Sequence, residues 1–315
     1  YKVVRDGDYI VHLRSFQGGF AFSRLNGICS PAYTILRPRS NMLEYGFLES
    51  YFCSSRFITS LKRVTYGIRD GRSISVEEWM REKTSLPTLP EQRKIAALLS
   101  LIDERIEVQN AIIKEQEALK ASLLRRLFDR TLRFPEFTDE WKEVKLGEVT
   151  CERNETNAPT LPLLSITADK GIIPQTDSEK KDVSNIDKSK YKRICAGDIG
   201  YNTMRMWQGR SALSFVEGIV SPAYTIVTPL EGLLPLFLSY LIKRPRLIYE
   251  FWTHSQGLVE DTLNCKYKDL YQIAIALPSL AEQRKIAALL SAIDERIAVE
   301  TEYAALLQKQ KAYLL

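Results

Sequence analysis

Histidine is scarce in this chain. His12 and His254 are the only two among 315 residues, and neither sits in a metal-spaced pair. GxSxG, P-loop and GxGxxG patterns are absent, as is any methyltransferase-like glycine motif. These absences argue against a catalytic centre in this chain and against a metal site. No run of eighteen or more apolar residues is present, so no membrane span is expected. The opening YKVVRDGDYI lacks a secretory pattern. Five cysteines (Cys29, Cys53, Cys151, Cys195, Cys265) form an odd set without a short pairing motif, which reads as reduced thiols used for packing in a cytoplasmic protein. Charge of one sign is also missing: 44 Lys+Arg stand against 39 Asp+Glu, a net +5. Residues 1–85 hold 13 basic and 8 acidic residues, whereas 131–280 hold 18 and 19. A mild basic excess is compatible with a nucleic-acid partner without establishing one.

What the chain does have is one stretch twice. Residues 86–106 read LPTLPEQRKIAALLSLIDERI and residues 277–297 read LPSLAEQRKIAALLSAIDERI. They differ only at Thr88/Ser279, Pro90/Ala281 and Leu101/Ala292, in a constant register of 191 residues. Such spacing indicates a tandem duplication, two half-units in one chain. At this length two domains can each bury a core.

Residues 1–39 read as β-rich, with β-branched and aromatic runs broken by Asp-Gly and closed by Pro38. Residues 43–65 place apolar side chains at helical spacing. A glycine-containing loop, YGIRDGRS, and the short SVEEWMREKTSLP follow. Residues 90–128 predict a long helix, with Pro90 at its opening and Glu91 in its first turn, where a carboxylate suits the helix dipole. Steps of four and three connect Ile95, Leu99, Ile102, Ile106, Gln109, Ile113, Gln116, Lys120, Leu123 and Leu127. That is a coiled-coil seam with polar positions that help fix register. It recurs as Ile286, Leu290, Ile293, Ile297, Glu300, Ala304, Leu307, Lys311 and Leu314, so each helix is the natural partner of the other. The plainer alternative is a single surface helix on its own domain. Residues 129–145 form a linker that Phe134, Phe137 and Trp141 are expected to anchor. The second globular unit then repeats the first: YKRICAGDIGYNT matches YKVVRDGDYIVHL, and EGIVSPAYTIVTP matches NGICSPAYTILRP. Its apolar helix is expected over LLPLFLSYLIKRPRLIYEFW. Residues 141–190 have no counterpart before Tyr1, and the second helix stops at the equivalent of Leu124; the chain reads as truncated at both ends.

The paired LPxLxEQRKIAALLSxIDERI segments, the linker LRFPEFTDEWKEVKLGEV and the GD and SPAY strands carry a family resemblance across essentially the whole chain. The chain resembles the specificity subunit of type I restriction-modification systems. The resemblance implies an α+β fold: two mixed target-recognition domains alternating with two long helices that pair as an antiparallel coiled coil. The expected divisions are 1–85, the first recognition domain without its start; 86–130, the first long helix; 131–276, linker and second recognition domain; and 277–315, the second long helix. Each domain would read one half of a bipartite target in double-stranded DNA. The helices would set the spacing and dock modification subunits, two of them, which methylate adenine. A restriction and translocase subunit would complete the complex. S-adenosylmethionine and ATP with Mg would belong to those partners, with no cofactor and no catalytic centre in this chain. A helix over 90–128 spans roughly 58 Å at 1.5 Å per residue, on the order of 17 base pairs at about 3.4 Å each. The alternatives are a helical scaffold that never touches DNA, or an inactive or recombination-cassette fragment of a specificity subunit.

Reading bases needs side chains that bond their edges: Arg for guanine, Asn or Gln for adenine, with Lys and Arg on phosphates. The second unit offers Asn202, Arg205, Gln208 and Arg210 around Trp207, just after a strand, and His254 and Gln256 in a later loop. The first offers Arg14, Gln17 and Arg24, then Arg69 and Arg72. A solvated polar loop is the plainer reading of any one of these. The basic run Lys180, Lys181, Lys188, Lys190 and Lys192 has acidic neighbours and reads as a solvated face. The helix face opposite the seam is a candidate partner-docking surface: Glu91, Arg93, Lys94, Asp103 and Arg105, and again Glu282, Arg284, Lys285, Asp294 and Arg296. Intrahelical ion pairs would account for the same charges.

Overall fold

A computed structural model describes residues 1–12, 20–39, 42–67, 73–167, 171–178, 185–258 and 262–315. The chain divides into two compact units, Tyr1–Glu115 with Ile297–Leu315, and Gln116–Arg296. Both divisions fall inside long helices, so each unit is built from parts of both halves of the sequence.

In unit 1, β2 (Tyr9–Val11) pairs antiparallel with both β3 (Phe20–Phe22) and β5 (Thr34–Leu36), while β1 (Lys2–Val4) pairs with β4 (Gly27–Cys29). The expected helix over 43–65 is two helices, α1 (Tyr45–Cys53) and α2 (Ser55–Leu61). Ser54 is the break. Its extended backbone ends α1, and its hydroxyl accepts the Phe57 amide to cap α2. Tyr9, Phe20, Phe52, Phe57 and Leu61 form the core under the sheet. Past β6 (Thr65–Tyr66), β7 (Ser73–Ile74) and α3 (Val76–Trp79), the chain enters α4 (Leu89–Phe128).

Asp8 is buried in the Gly-Asp turn, where Arg37 donates from Nε at 2.6 Å and from Nη2 at 2.5 Å. The Arg37 bonds hold its carboxyl below the usual carboxylate range. A folded value below the unfolded one contributes stability above about pH 4, and that contribution is lost as pH falls through the folded value. Asp8→Asn is therefore expected to destabilise unit 1 at neutral pH and to flatten its acid limb, measured by hydrogen exchange of β2 and β5 between pH 3 and 7. An unchanged acid limb would refute the assignment.

Unit 2 repeats this plan with an extra strand. Its sheet order is β14 (Ser211–Leu213), β13 (Ile199–Asn202), β16 (Tyr224–Pro229), β9 (Thr150–Glu152), all antiparallel. β12 (Lys192–Ile194) pairs with β15 (Gly218–Val220), and β10 (Leu164–Ile166) with β11 (Ile172–Pro174). The linker supplies β8 (Lys142–Lys145), which pairs with β17 (Ala274–Leu277), and the short α5 (Leu146–Val149). The apolar helix is again split, into α6 (Pro235–Leu241) and α7 (Pro245–His254), because Pro245 has no amide to continue α6. α8 (Tyr267–Leu270) precedes β17, and α9 (Leu280–Leu314) ends the chain. Leu127, Phe128, Trp141, Phe237, Phe251 and Ile286 belong to its core.

The helix pairing is antiparallel. Within unit 1, Lys311 meets Asp103 at 2.5 Å, and Gln109 donates to Glu300 Oε2 at 2.6 Å and to its carbonyl at 3.1 Å. Numbers rise along α4 as they fall along α9. Within unit 2, Lys120 pairs with Asp294, the repeat-related image of Lys311 with Asp103. Leu99, Ile102, Gln109, Ala304 and Leu307 are buried, as the seam requires. Ile95 departs from the expectation: it is 38% exposed, whereas its repeat partner Ile286 is 1% exposed under the linker-side core of unit 2.

Candidate nucleic-acid interface

β13 carries Asn202 to one end of the unit 2 sheet, where residues 203–210 form a tight loop before β14. Three local bonds shape it: the Met204 amide donates to Asn202 Oδ1 at 3.0 Å, the Arg205 amide to the Asn202 carbonyl at 3.0 Å, and Trp207 Nε1 to the Met204 carbonyl at 3.1 Å. Met206 is fully buried and pins the loop to the core. Gly209 ends the loop at φ +72°, and a Cβ there would stand 2.8 Å from Ile248 Cδ1 on α7. Gly209→Ala is expected to cost about 1–2 kcal/mol from the left-handed backbone alone, read as a lower melting temperature. No change would mean the loop is not clamped as described.

The same end gathers two further segments. The Thr203 hydroxyl donates to the Ala223 carbonyl at 3.3 Å, and the Cys265 amide donates to the Thr203 carbonyl at 2.9 Å. Gln256 and Asn264 exchange backbone bonds at 2.9 and 2.8 Å just before Cys265. Arg205, Gln208, Arg210 and Gln256 are thus carried by one linked set of loops, with Gln208, Arg210 and Gln256 exposed. Burial raises the Tyr224 phenol, and the Arg210 charge nearby opposes that rise. Burial pushes the Cys265 thiol up to about 12, which suits an inert packing cysteine. Charged donors held on a fixed backbone beside an aromatic can hydrogen-bond base edges and neutralise phosphates.

Not every candidate is placed to do so. Asn202 Oδ1 and the Trp207 ring N–H are engaged inside the loop, so both act first on its shape. His254 Nδ1 lies 2.9 Å from the Glu250 carbonyl at the end of α7. Arg24 bonds Glu49 at 2.9 and 3.2 Å and lies over the Phe22 ring, a surface ion pair that leaves its side chain largely exposed. Arg14, Gln17, Arg69 and Arg72 lie outside the described residues, as do Lys180 and Lys181.

The proposed outer face of the helices needs larger corrections. Glu282 is buried: Arg133 donates to it from Nε at 3.0 Å and Nη2 at 2.9 Å, and Trp141 Nε1 donates at 3.1 Å. Asp103 and Asp294 face lysines of the partner helix, and the Tyr240 hydroxyl also donates to Asp294 at 2.7 Å. Arg105 bonds the Tyr303 hydroxyl. Glu282, Asp103 and Asp294 lie toward the seam or the domain because each finds an opposite charge there, while Arg105 stays exposed as it reaches Tyr303. Glu91 accepts from the Thr88 amide at 2.8 Å and hydroxyl at 2.7 Å, a helix-opening cap that lowers its carboxyl pKa. Arg93 reaches Glu44 at 3.7 Å, and Lys285 pairs with Glu136 over the Phe134 ring. Lys94, Arg284 and Arg296 are exposed.

The sequence reading missed Gln92 and Gln283. Both are buried at the start of their helices. Gln92 donates to the Met42 and Pro87 carbonyls and accepts the Glu44 amide; Gln283 donates to the Gly232 and Pro278 carbonyls and accepts the Leu234 amide. Each glutamine fastens the loop before the domain's first helix to its long helix. Its signal was an identical polar residue in both copies beside an apolar seam. The SPAY segment was read as strand, yet Ser30 and Ser221 open turns that accept the Tyr33 and Tyr224 amides at 3.2 and 3.1 Å. The aligned residues before those loops, His12 and Asn202, stand beside the two tyrosines: the His12 and Tyr33 rings are 5.5 Å apart, and Asn202 is in register with Tyr224.

Residues 138–309 match the family described as Type I restriction modification DNA specificity domain. A protein of Methanocaldococcus jannaschii, named as the specificity subunit of the type I restriction enzyme MjaX, is 24% identical over 306 residues, covering 89% of this chain and 68% of that one. Among solved structures, a chain from a study of assembly and conformational transition in the type I R-M system aligns with TM-score 0.60 at 22% identity, over 99% of this chain and 81% of its own. The type I restriction-modification S subunit from M. genitalium aligns with TM-score 0.58 at 15% identity, over 99% and 83%. The HsdS subunit from Thermoanaerobacter tengcongensis aligns with TM-score 0.51 at 21% identity, over 99% and 80%. At these identities the structural likeness establishes the fold.

Proposed function

The chain belongs to the type I restriction-modification DNA specificity family, and from that premise we propose that it is the sequence-reading subunit of such a complex. Each globular unit reads one half of a bipartite target in double-stranded DNA. The antiparallel helices set the interval between halves and dock adenine-methyltransferase subunits, two per chain, with a restriction and translocase subunit in the full assembly. S-adenosylmethionine and ATP with Mg serve those partners; this chain contributes recognition. The observation that carries the reading is the clamped loop 203–210, which presents Arg205, Gln208 and Arg210 on a rigid sheet end beside Gln256. Arg14, Gln17, Arg69 and Arg72 are assigned the same work in unit 1 on their sequence positions. For docking, Arg93, Lys94, Arg284, Lys285 and Arg296 remain the candidates.

The test is co-expression with a methyltransferase partner, followed by mapping of methylated adenines. A motif in two parts with a fixed gap is expected. Methylation at a continuous motif, or none by a complex that does assemble, would overturn the proposal. Binding by this chain alone should be weak and should fall steeply with salt.

A further inference from the structure

One apolar side chain of loop 203–210 is held in solvent by the fold. Met204 and Met206 are two residues apart, and the loop treats them differently: Met206 is fully buried, whereas Met204 stands 45% exposed. A slack backbone is not the reason. The Met204 amide donates to Asn202 Oδ1 at 3.0 Å, and its carbonyl accepts Trp207 Nε1 at 3.1 Å. On the residue before it, the Thr203 carbonyl accepts the Cys265 amide at 2.9 Å. A methionine exposed on a backbone fastened from both sides forgoes burial that would stabilise the free protein.

A second apolar segment is tied to it. The Thr203 hydroxyl donates to the Ala223 carbonyl at 3.3 Å, which joins the loop to the turn that Ser221 opens. Pro222 and Ala223 of that turn are exposed. Met204, Pro222 and Ala223 thus share one end of the unit 2 sheet with the exposed donors Gln208, Arg210 and Gln256. The donors answer to guanine and adenine. Thymine presents something else in the major groove: beside one acceptor it shows a C5-methyl group, which only an apolar contact recognises. A flexible, polarisable thioether side chain adapts readily to such a group.

Resting on the reading of this loop as a DNA interface, we propose that Met204 packs against a thymine C5-methyl group in the major groove, with Ala223 beside it, and so selects thymine at one position of the half-site of unit 2. The two halves of the target differ in this respect. The SPAY turn is present in both units, with Pro31 and Ala32 matching Pro222 and Ala223. Continuing the alignment of His12 with Asn202, however, puts Arg14 where unit 2 has Met204. Unit 1 therefore has no methionine for a methyl contact at this place, and an arginine there suits guanine.

The test titrates the complex assembled with its methyltransferase partner against its mapped target, and against duplexes in which each thymine of the unit 2 half is replaced in turn by uracil, which removes the methyl group alone. One replacement should weaken binding about fourfold, the worth of one buried methyl group. The same replacement should cost nothing further in a complex carrying Met204→Ala, and should keep its cost with Met204→Leu, whose side chain is again long and apolar. Uracil in the unit 1 half should respond to neither variant. A unit 2 half without an A·T pair, uracil tolerated at every position, or a uracil penalty that Met204→Ala leaves intact would each overturn the proposal while two-part DNA reading stands. Failure to find a two-part motif would instead overturn the reading beneath it, and this proposal with it.

Discussion

Replacing Glu282 with alanine is expected to lower the melting temperature of unit 2 by about 10 °C. The carboxylate is buried and accepts three charge-assisted or indole donors, two from Arg133 and one from Trp141. Removing one partner of a buried pair costs about 3–5 kcal/mol, and this pair sits at the low end, because Arg133 keeps some solvent and its bond to the Asp139 carbonyl. A unit of this size loses roughly 2–4 °C per kcal/mol. Arg133 and Trp141 both come from the linker, so the loss should be felt first where the linker docks. The aligned residue Glu91 is the internal control. It is exposed and, among the described residues, accepts from Thr88 alone, so Glu91→Ala should produce a small shift. Similar shifts for the two variants, measured by calorimetry, would remove Glu282 as the anchor.

The second large effect concerns Arg210. Its replacement by alanine is expected to weaken binding of the assembled complex to its target by roughly 10–100-fold, the worth of one good bidentate base contact. Two outcomes separate its roles. If Arg210 reads a base, the methylated motif relaxes at one position, in one half only. If it holds a phosphate, affinity falls for every sequence and the salt slope drops by about 1. A change in both halves of the motif, or unaltered affinity, would dissociate loop 203–210 from DNA reading.

Periodicity carried much of the architecture. The seam from Ile95 to Leu127, with Pro90 and Glu91 at its opening, foretold a helix within one residue of α4 at its start; its repeat foretold the partner helix, and the family resemblance its antiparallel direction. Trp141 was expected to anchor the linker and does, with its ring buried and its N–H on Glu282. The failures share a cause. Asp103, Asp294 and Glu282 read as outward because they are charged, but a charge facing an opposite charge across a seam has the same sequence signature as one facing water. Ile95 and Ile286 occupy the same heptad position and differ in burial because the segments around them differ, which periodicity within a helix does not register. The breaks at Ser54 and Pro245 were visible as residue types, yet apolar spacing runs on through both. In loop 203–210 the residue types were legible, while the part that Asn202 and Trp207 play in shaping it depends on hydrogen bonds that only the folded loop defines.

Unit 1 comprises residues 1–115 together with 297–315. That composition has a consequence for biosynthesis. Leu99, Ile102 and Gln109 wait for Glu300, Ala304 and Leu307, which leave the ribosome about 180 residues after the first part of the unit is complete. At 5–20 residues per second this is a delay of roughly 10–40 s. Through that interval the first half of α4 has no α9 to pair with, and its apolar seam faces solvent.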